Sequence, residues 1–303
     1  MSTERGQEAQ RLEFDHLSRV RDYYTEAQRF YRLAWHGNTN GLHYGIWTDG
    51  VRNLHEAILN ENRVLADLAR VQPGDVILDA GCGIGGSGVW LAEHRRAEVV
   101  GINIVPAQIE EATRIAKKRG LSDNLRFMLA NYQDIPLPDD SVDVVWSLES
   151  IEHATDAPRF IEESYRVLKP GGRIVVAATF LGRGEVTQKE REQMELGQQV
   201  SGCFNDFRTA DQIAEVMSNT GFSGVRNINA TKQVMRSSRR MTIMCKAGLI
   251  PARVVGALGL VSRAMVLNEV WGTYQEGLFK SGATSYNLLY GLKTPSETER
   301  TTS

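Results

Sequence analysis

Charge of one sign is not in excess in this chain of 303 residues: 35 Lys and Arg stand against 37 Asp and Glu, for a net charge of −2. A basic footprint is the usual mark of nucleic-acid recognition, so no nucleic acid is expected as partner, and nothing in the total points to an anionic membrane. Cysteine is scarce. Cys82, Cys203 and Cys245 are scattered, with no CxxC pair and no His/Cys cluster at ligand spacing. That excludes a disulfide scaffold and a structural zinc site, and no metal is expected. Long apolar runs are missing too. The longest, Leu249–Leu267, is interrupted by Pro251, Arg253 and Arg263, so no integral membrane segment is expected. The charged stretch Met1–Arg21 lacks the apolar core of a secretory signal, and with free thiols it suggests a cytoplasmic protein.

What is present is a 42% hydrophobic composition, enough for one large α/β domain with insertions. Short apolar runs at Val76–Asp79, Glu98–Asn103, Leu125–Leu129, Val142–Ser147 and Ile174–Thr179 read as buried parallel strands. Helical periodicity between them, as at Ala107–Arg119 and Arg159–Leu168, supplies right-handed crossovers. Two later runs, Gly224–Ala230 and Tyr286–Leu292, bring the strands to seven. Residues 1–22 read as an N-terminal arm, 23–72 as a helical lid segment rich in aromatics, and 73–303 as the main domain. That domain carries helical cap insertions at about 181–222 and 231–283.

Within it, Val76–Ser87 reads as a strand ending in Asp79, a turn with Gly81, Gly83 and Gly86, and a helix from Ser87. Glycines let backbone approach a ligand closely, and the first helical N–H groups face it. The spacing alone also fits the dinucleotide fingerprint. An acid at 79 favours a cofactor bearing an ammonium group over one bearing a pyrophosphate, which it would repel. Cys82, inside the turn, fits as a small apolar residue.

With the further run Arg166–Val176, a helix end, a Pro-Gly-Gly turn and a buried strand, the chain resembles the class I S-adenosylmethionine-dependent methyltransferases over roughly residues 20–295. That resemblance implies a doubly wound, Rossmann-like, seven-stranded sheet whose last strand is antiparallel. It also implies S-adenosylmethionine as cofactor. Gly101–Gln108 resembles the subgroup that methylates sterols, tocopherols and other natural products. Asn103 stands where the family often has an acid that takes the ribose hydroxyls, and in that subgroup Gln108 helps to hold the ribose; Ile104 packs on adenine, and Asn131 takes the adenine amino group where the family usually carries an acid. Tyr132 stacks or packs there, and Ser147 and Leu148 meet the methionine part through their backbone.

Acceptor-side candidates follow from the same alignment of motifs. Glu149, Glu152 and His153 stand just past the fourth strand, and the lid segment supplies Tyr24 and Tyr44. His153 is either a general base or a loop anchor, and Glu149 either faces substrate or holds the loop. His16, His55 and His94 read as surface residues, while His36 and His43 carry no assignment. Tyr31–Trp35 and Leu42–Trp47 resemble the aromatic segment of sterol-type enzymes, with Arg32 where those carry an acid. Aromatic lid and Met/Leu-rich cap together suggest a lipophilic small-molecule acceptor, terpenoid or sterol-like, methylated at carbon or oxygen. A fatty-acid carboxylate or a small amine is the alternative acceptor, and a non-catalytic cofactor-binding subunit the alternative role. The arm and the apolar insertion suggest a homo-oligomer.

Overall fold

The computed structural model describes residues 2–32, 35, 37–203 and 207–294. Seven strands form one sheet: β1 (Val76–Ala80), β2 (Glu98–Asn103), β3 (Leu125–Leu129), β4 (Val142–Leu148), β5 (Leu168–Leu181), β6 (Phe222–Asn229) and β7 (Thr284–Lys293). Their order is β3-β2-β1-β4-β5-β7-β6, and β7 runs antiparallel to both neighbours. Every strand expected from the sequence is present at its place. The Pro170–Gly172 turn does not precede the fifth strand but is absorbed in it: Val142 pairs with Leu168 and Val144 with Arg173, so the intervening residues bulge outward.

Alternation along the strands builds the two faces of the core. On β1, Ile77 packs into one apolar cluster and Leu78 and Ala80 into the other, all fully buried. The first cluster includes residues of α2 (Leu54–Leu68) and α3 (Gly86–Arg95), while α5 (Ala157–Val167) and α7 (Ala210–Thr220) cover the second. Between them in sequence lie α4 (Pro106–Arg119) and α6 (Gln188–Ser201). Each large aliphatic side chain buried this way contributes about 2 kcal/mol, which makes the sheet a stiff base for the loops at its carboxyl edge. A capping box between Thr209 and Gln212 starts α7.

The cap consists of α8 (Thr231–Ala257), α9 (Arg263–Gly272) and α10 (Gln275–Ser281). At the other end of the chain, α1 (Ser2–Tyr31) is one unbroken helix. It runs through the boundary at residue 22 that separates arm from lid in the sequence. Its second half packs Tyr23 and Ala27 against Met265 of α9 and Val200 of α6, so apolar burial, not local propensity, carries the helix past that point. Leu33, Ala34 and His36 lie outside the described residues.

Candidate active site

The chain leaves β1 to build β2 and β3 on one side and β4 on the other. Outside the carboxyl ends of β1 and β4 this reversal opens a crevice. Asp79, Gly81, Cys82, Gly83, Asn103, Ile104, Gln108, Asn131, Tyr132 and Leu148 all line it, around a cavity of about 100 Å³. Ser147 does not. It is fully buried, with its hydroxyl 2.7 Å from that of Ser150, and sits behind the wall.

The glycines have different reasons to be there. Gly81 has φ +89°, and a Cβ on it would come within 2.4 Å of Ser150 Cβ. Gly86 has an ordinary φ, but its Cβ would lie 2.5 Å from the carbonyl oxygen of Asn40. There the lid backbone crosses over the first turn of α3. Asp79 is 2% exposed, and its Oδ2 has no hydrogen-bond partner. Burial raises its pKa to about 7, because a charged carboxylate in this place has lost its water. A carboxyl so placed fits a cationic ligand group. Asn103 Nδ2 donates to Gln108 Oε1 at 2.7 Å, both side chains being buried. Asn131 Oδ1 accepts the Gln133 N–H at 3.0 Å, and the Tyr132 hydroxyl donates to the Ser150 carbonyl at 2.9 Å. The Tyr132 ring meets Phe160 edge-on, a packing contact. Burial pushes the Cys82 thiol well up, which keeps it from acting as a nucleophile.

A second cavity, also about 100 Å³, adjoins the first. Tyr24, Tyr31, Leu42, His43, Glu149 and His153 border both. Tyr44 and Glu152 line only the second, together with Met241 and Trp271 of the cap. All five acceptor-side candidates therefore converge on one chamber. The Tyr24 hydroxyl is 2.9 Å from His153 Nε2, with the rings edge to face at 5.5 Å. Desolvation lowers the His153 pKa to about 4, so the imidazole is neutral at physiological pH and can accept a proton. Burial raises the pKa of Tyr24 and of Tyr44 well above the usual phenol value. Glu152 has a fully enclosed Oε2 without a partner, and burial lifts its pKa.

Glu149 sits at φ +49°, in the left-handed region that non-glycine residues avoid. It is held there from two sides. Its N–H donates to the Ala177 carbonyl at 2.7 Å, and its Oε1 accepts the Tyr44 N–H at 2.7 Å and the Tyr286 hydroxyl at 2.9 Å. The same Tyr286 hydroxyl lies 2.6 Å from Glu61 Oε1. Glu61 Oε2 in turn accepts from His43 Nδ1 at 2.6 Å and from the Gly45 N–H at 2.8 Å. One buried network thus ties the lid to α2, the loop after β4, β5 and β7.

Glu61 and Tyr286 are absent from the sequence-derived set, and His43 carried no assignment there. Glu61 had a visible signal. On α2 it shares a face with the buried Ala57, Ile58 and Leu65, and an acid in an apolar stripe demands a partner. His16 is a correction. Read as a surface residue, it is 5% exposed, and its Nε2 is 2.8 Å from the His153 carbonyl. As expected, His55 and His94 are exposed.

Residues 78–176 match the methyltransferase domain family model. This region is a class I S-adenosylmethionine-dependent methyltransferase domain. Methyltransferase GfsG of Streptomyces halstedii is 38% identical to the chain over 167 residues, covering 54% of the chain and 59% of GfsG. Sterol 24-C-methyltransferase erg6 of Aspergillus fumigatus is 30% identical over 226 residues, covering 74% of the chain and 58% of that relative. The chain thus spans little more than half the length of these curated relatives. Among solved structures, the cyclopropane synthase MmaA2 of Mycobacterium tuberculosis superposes with a TM-score of 0.79 at 18% identity, over 92% of this chain and 98% of that one. At that identity the likeness is one of fold. The cofactor of the methyltransferase domain is S-adenosylmethionine, and the cationic preference of Asp79 agrees with its ammonium group.

Proposed function

We propose that this protein methylates a lipophilic small molecule, such as a terpenoid or sterol-like natural product, at carbon or oxygen. Asp79, the turn at Gly81–Gly83, Asn103, Ile104, Gln108, Asn131 and Leu148 hold S-adenosylmethionine, which when bound supplies a methyl group already activated by its sulfonium. The reading rests on one observation: a chamber adjoining the cofactor crevice, walled by Tyr23, Tyr24, Tyr31, Trp35, Met241 and Trp271, with a neutral histidine at the junction.

Each part of that wall has a use. Apolar walls exclude water and hold the acceptor in line, which lowers the barrier by several kcal/mol. For a hydroxyl acceptor, His153 takes the departing proton, directly or through the Tyr24 hydroxyl 2.9 Å away. For an alkene acceptor, the aromatic faces stabilise the carbocation left by methylation, and His153 removes the proton that restores the double bond. Glu149 holds the lid instead of meeting the substrate, as its two accepted hydrogen bonds indicate. Incubating the protein and a host-cell lipid extract with methyl-labelled S-adenosylmethionine tests the reading. Label in organic-soluble product supports it. Label confined to aqueous product favours the amine alternative and overturns it, as does failure to transfer with cofactor binding intact.

A further inference from the structure

The cap helices carry an exposed face that the chemistry above does not use. Between Thr231 and Asn268 the chain has seven Lys or Arg and no Asp or Glu, although its overall net charge is −2. All seven, Lys232, Arg236, Arg239, Arg240, Lys246, Arg253 and Arg263, are exposed. Interleaved with them at helical spacing is a set of apolar side chains in water: Ile243 is 56% exposed, Ile250 73%, Val254 55% and Leu258 68%, with Leu260 at 72% just beyond the helix. Positions 243, 246, 250, 253, 254 and 257 to 258 recur every three or four residues, so they form one outward stripe of α8.

The opposite side of α8 explains why this stripe faces out. Thr242 and Cys245 meet Gly272, Gly248 meets Glu269 and Gly256 meets Val266, so α8 and α9 form an antiparallel hairpin with its tip near Leu258–Val261. The hairpin's base lines the acceptor chamber through Met241, Asn268 and Trp271. From Met241 to Leu258 the helix axis extends about 25 Å. At the tip, Glu26 of α1 accepts the Ser262 N–H at 2.9 Å and fixes the hairpin to the lid.

Apolar residues of this size stay in water at a cost, and a concentration of them marks a docking surface. Cations flanking them, with no acid on α8 itself, select a partner that is apolar within and negative at its surface. We propose that this face of the α8–α9 hairpin docks on the headgroup region of an anionic lipid bilayer, with Ile250, Val254, Leu258 and Leu260 inserted and the flanking Arg and Lys on the phosphates. This is the pattern of an interfacial amphipathic helix reinforced by a polybasic patch. It departs from what the overall charge suggested, because a near-neutral sum conceals a local excess. It also stands apart from the acceptor's identity, since it is read by binding and not by turnover.

Co-sedimentation of the full chain with vesicles tests it. With equal parts phosphatidylglycerol and phosphatidylcholine the protein should pellet; with phosphatidylcholine alone, or in about 0.5 M salt, it should stay largely in solution. The double substitution Ile250→Glu/Leu258→Glu should weaken partitioning about tenfold or more, and Arg240→Glu/Lys246→Glu likewise, through the electrostatic arm alone. Each variant is first checked for an unaltered melting-temperature rise on adding S-adenosylhomocysteine, so a misfolded one is set aside and the other pair decides. The proposal fails if wild type ignores anionic vesicles, if both pairs bind like wild type, or if sedimentation equilibrium shows that the substitutions dissociate a dimer while vesicle binding is absent. That last result would assign the face to a second copy of the chain.

Discussion

On the cofactor side of the cleft the chain offers mainly backbone: a strand end, a turn that tolerates no Cβ at Gly81, and the start of α3. On the acceptor side it offers side chains, Tyr24, His153, Glu149, His43 and Glu61, brought from α1, the lid, α2 and the loop after β4. Backbone geometry admits few substitutions and belongs to the domain rather than to the acceptor it serves. Side chains on separate elements can be exchanged singly, so a new acceptor can be met without rebuilding the sheet. The two halves should therefore fail differently when altered.

The largest effect is expected on the cofactor side. Gly81→Val forces a side chain into Ser150 at a positive φ and should abolish S-adenosylhomocysteine binding in calorimetry; retained affinity would break the distinction. Next, His153→Ala should lower kcat roughly 100-fold while leaving cofactor affinity unchanged. The wild-type kcat at saturating cofactor should stay flat from about pH 8 to 5, because the His153 pKa lies at about 4 and the base is free throughout. A third test concerns Asp79, which is protonated below its raised pKa of about 7 and then presents no charge to an ammonium group. Cofactor Kd should rise about tenfold for each pH unit below 7 and level off above it. Asp79→Asn should bind weakly with no such slope. In the cofactor-free protein the same group should cost stability as pH rises from about 4 to 7, because the unfolded chain ionises first. The smallest effect is expected from Glu61→Gln. It keeps the shape of the network but replaces a carboxyl oxygen with an amide nitrogen and should reduce kcat about tenfold or less, with destabilisation of about 1–3 kcal/mol by chemical denaturation.

The same contrast decided what the sequence could disclose. The strands, α3 and the glycine turn are set by neighbours within about ten residues, and apolar alternation plus Gly81, Gly83 and Gly86 made them legible. Asp79 and the Asn103–Gln108 pair belong to that local category. The partners of Glu149 do not: Tyr44 is 105 residues away and Tyr286 137. No periodicity in one segment announces such a pairing. His16 was misread for the same reason, since its partner is the backbone of His153 on the far side of the sheet's sequence. Only Glu61, an acid among buried aliphatics, carried a signal within its own helix.

Tyr286 lies on β7, which enters the sheet between β5 and β6 after every other strand has been made. During synthesis all of the cofactor half leaves the ribosome first, and the fold can begin to organise around it. Glu61 and Glu149, meanwhile, have no shared phenol until a strand 225 and 137 residues downstream arrives. Two buried acids without the phenol that stands between them resist being brought together. The seventh strand is thus a timer: the acceptor chamber cannot close its frame before that strand has been made. A protein nicked ahead of Thr284 would lose the chamber's frame while the sequence of its cofactor half remained entire.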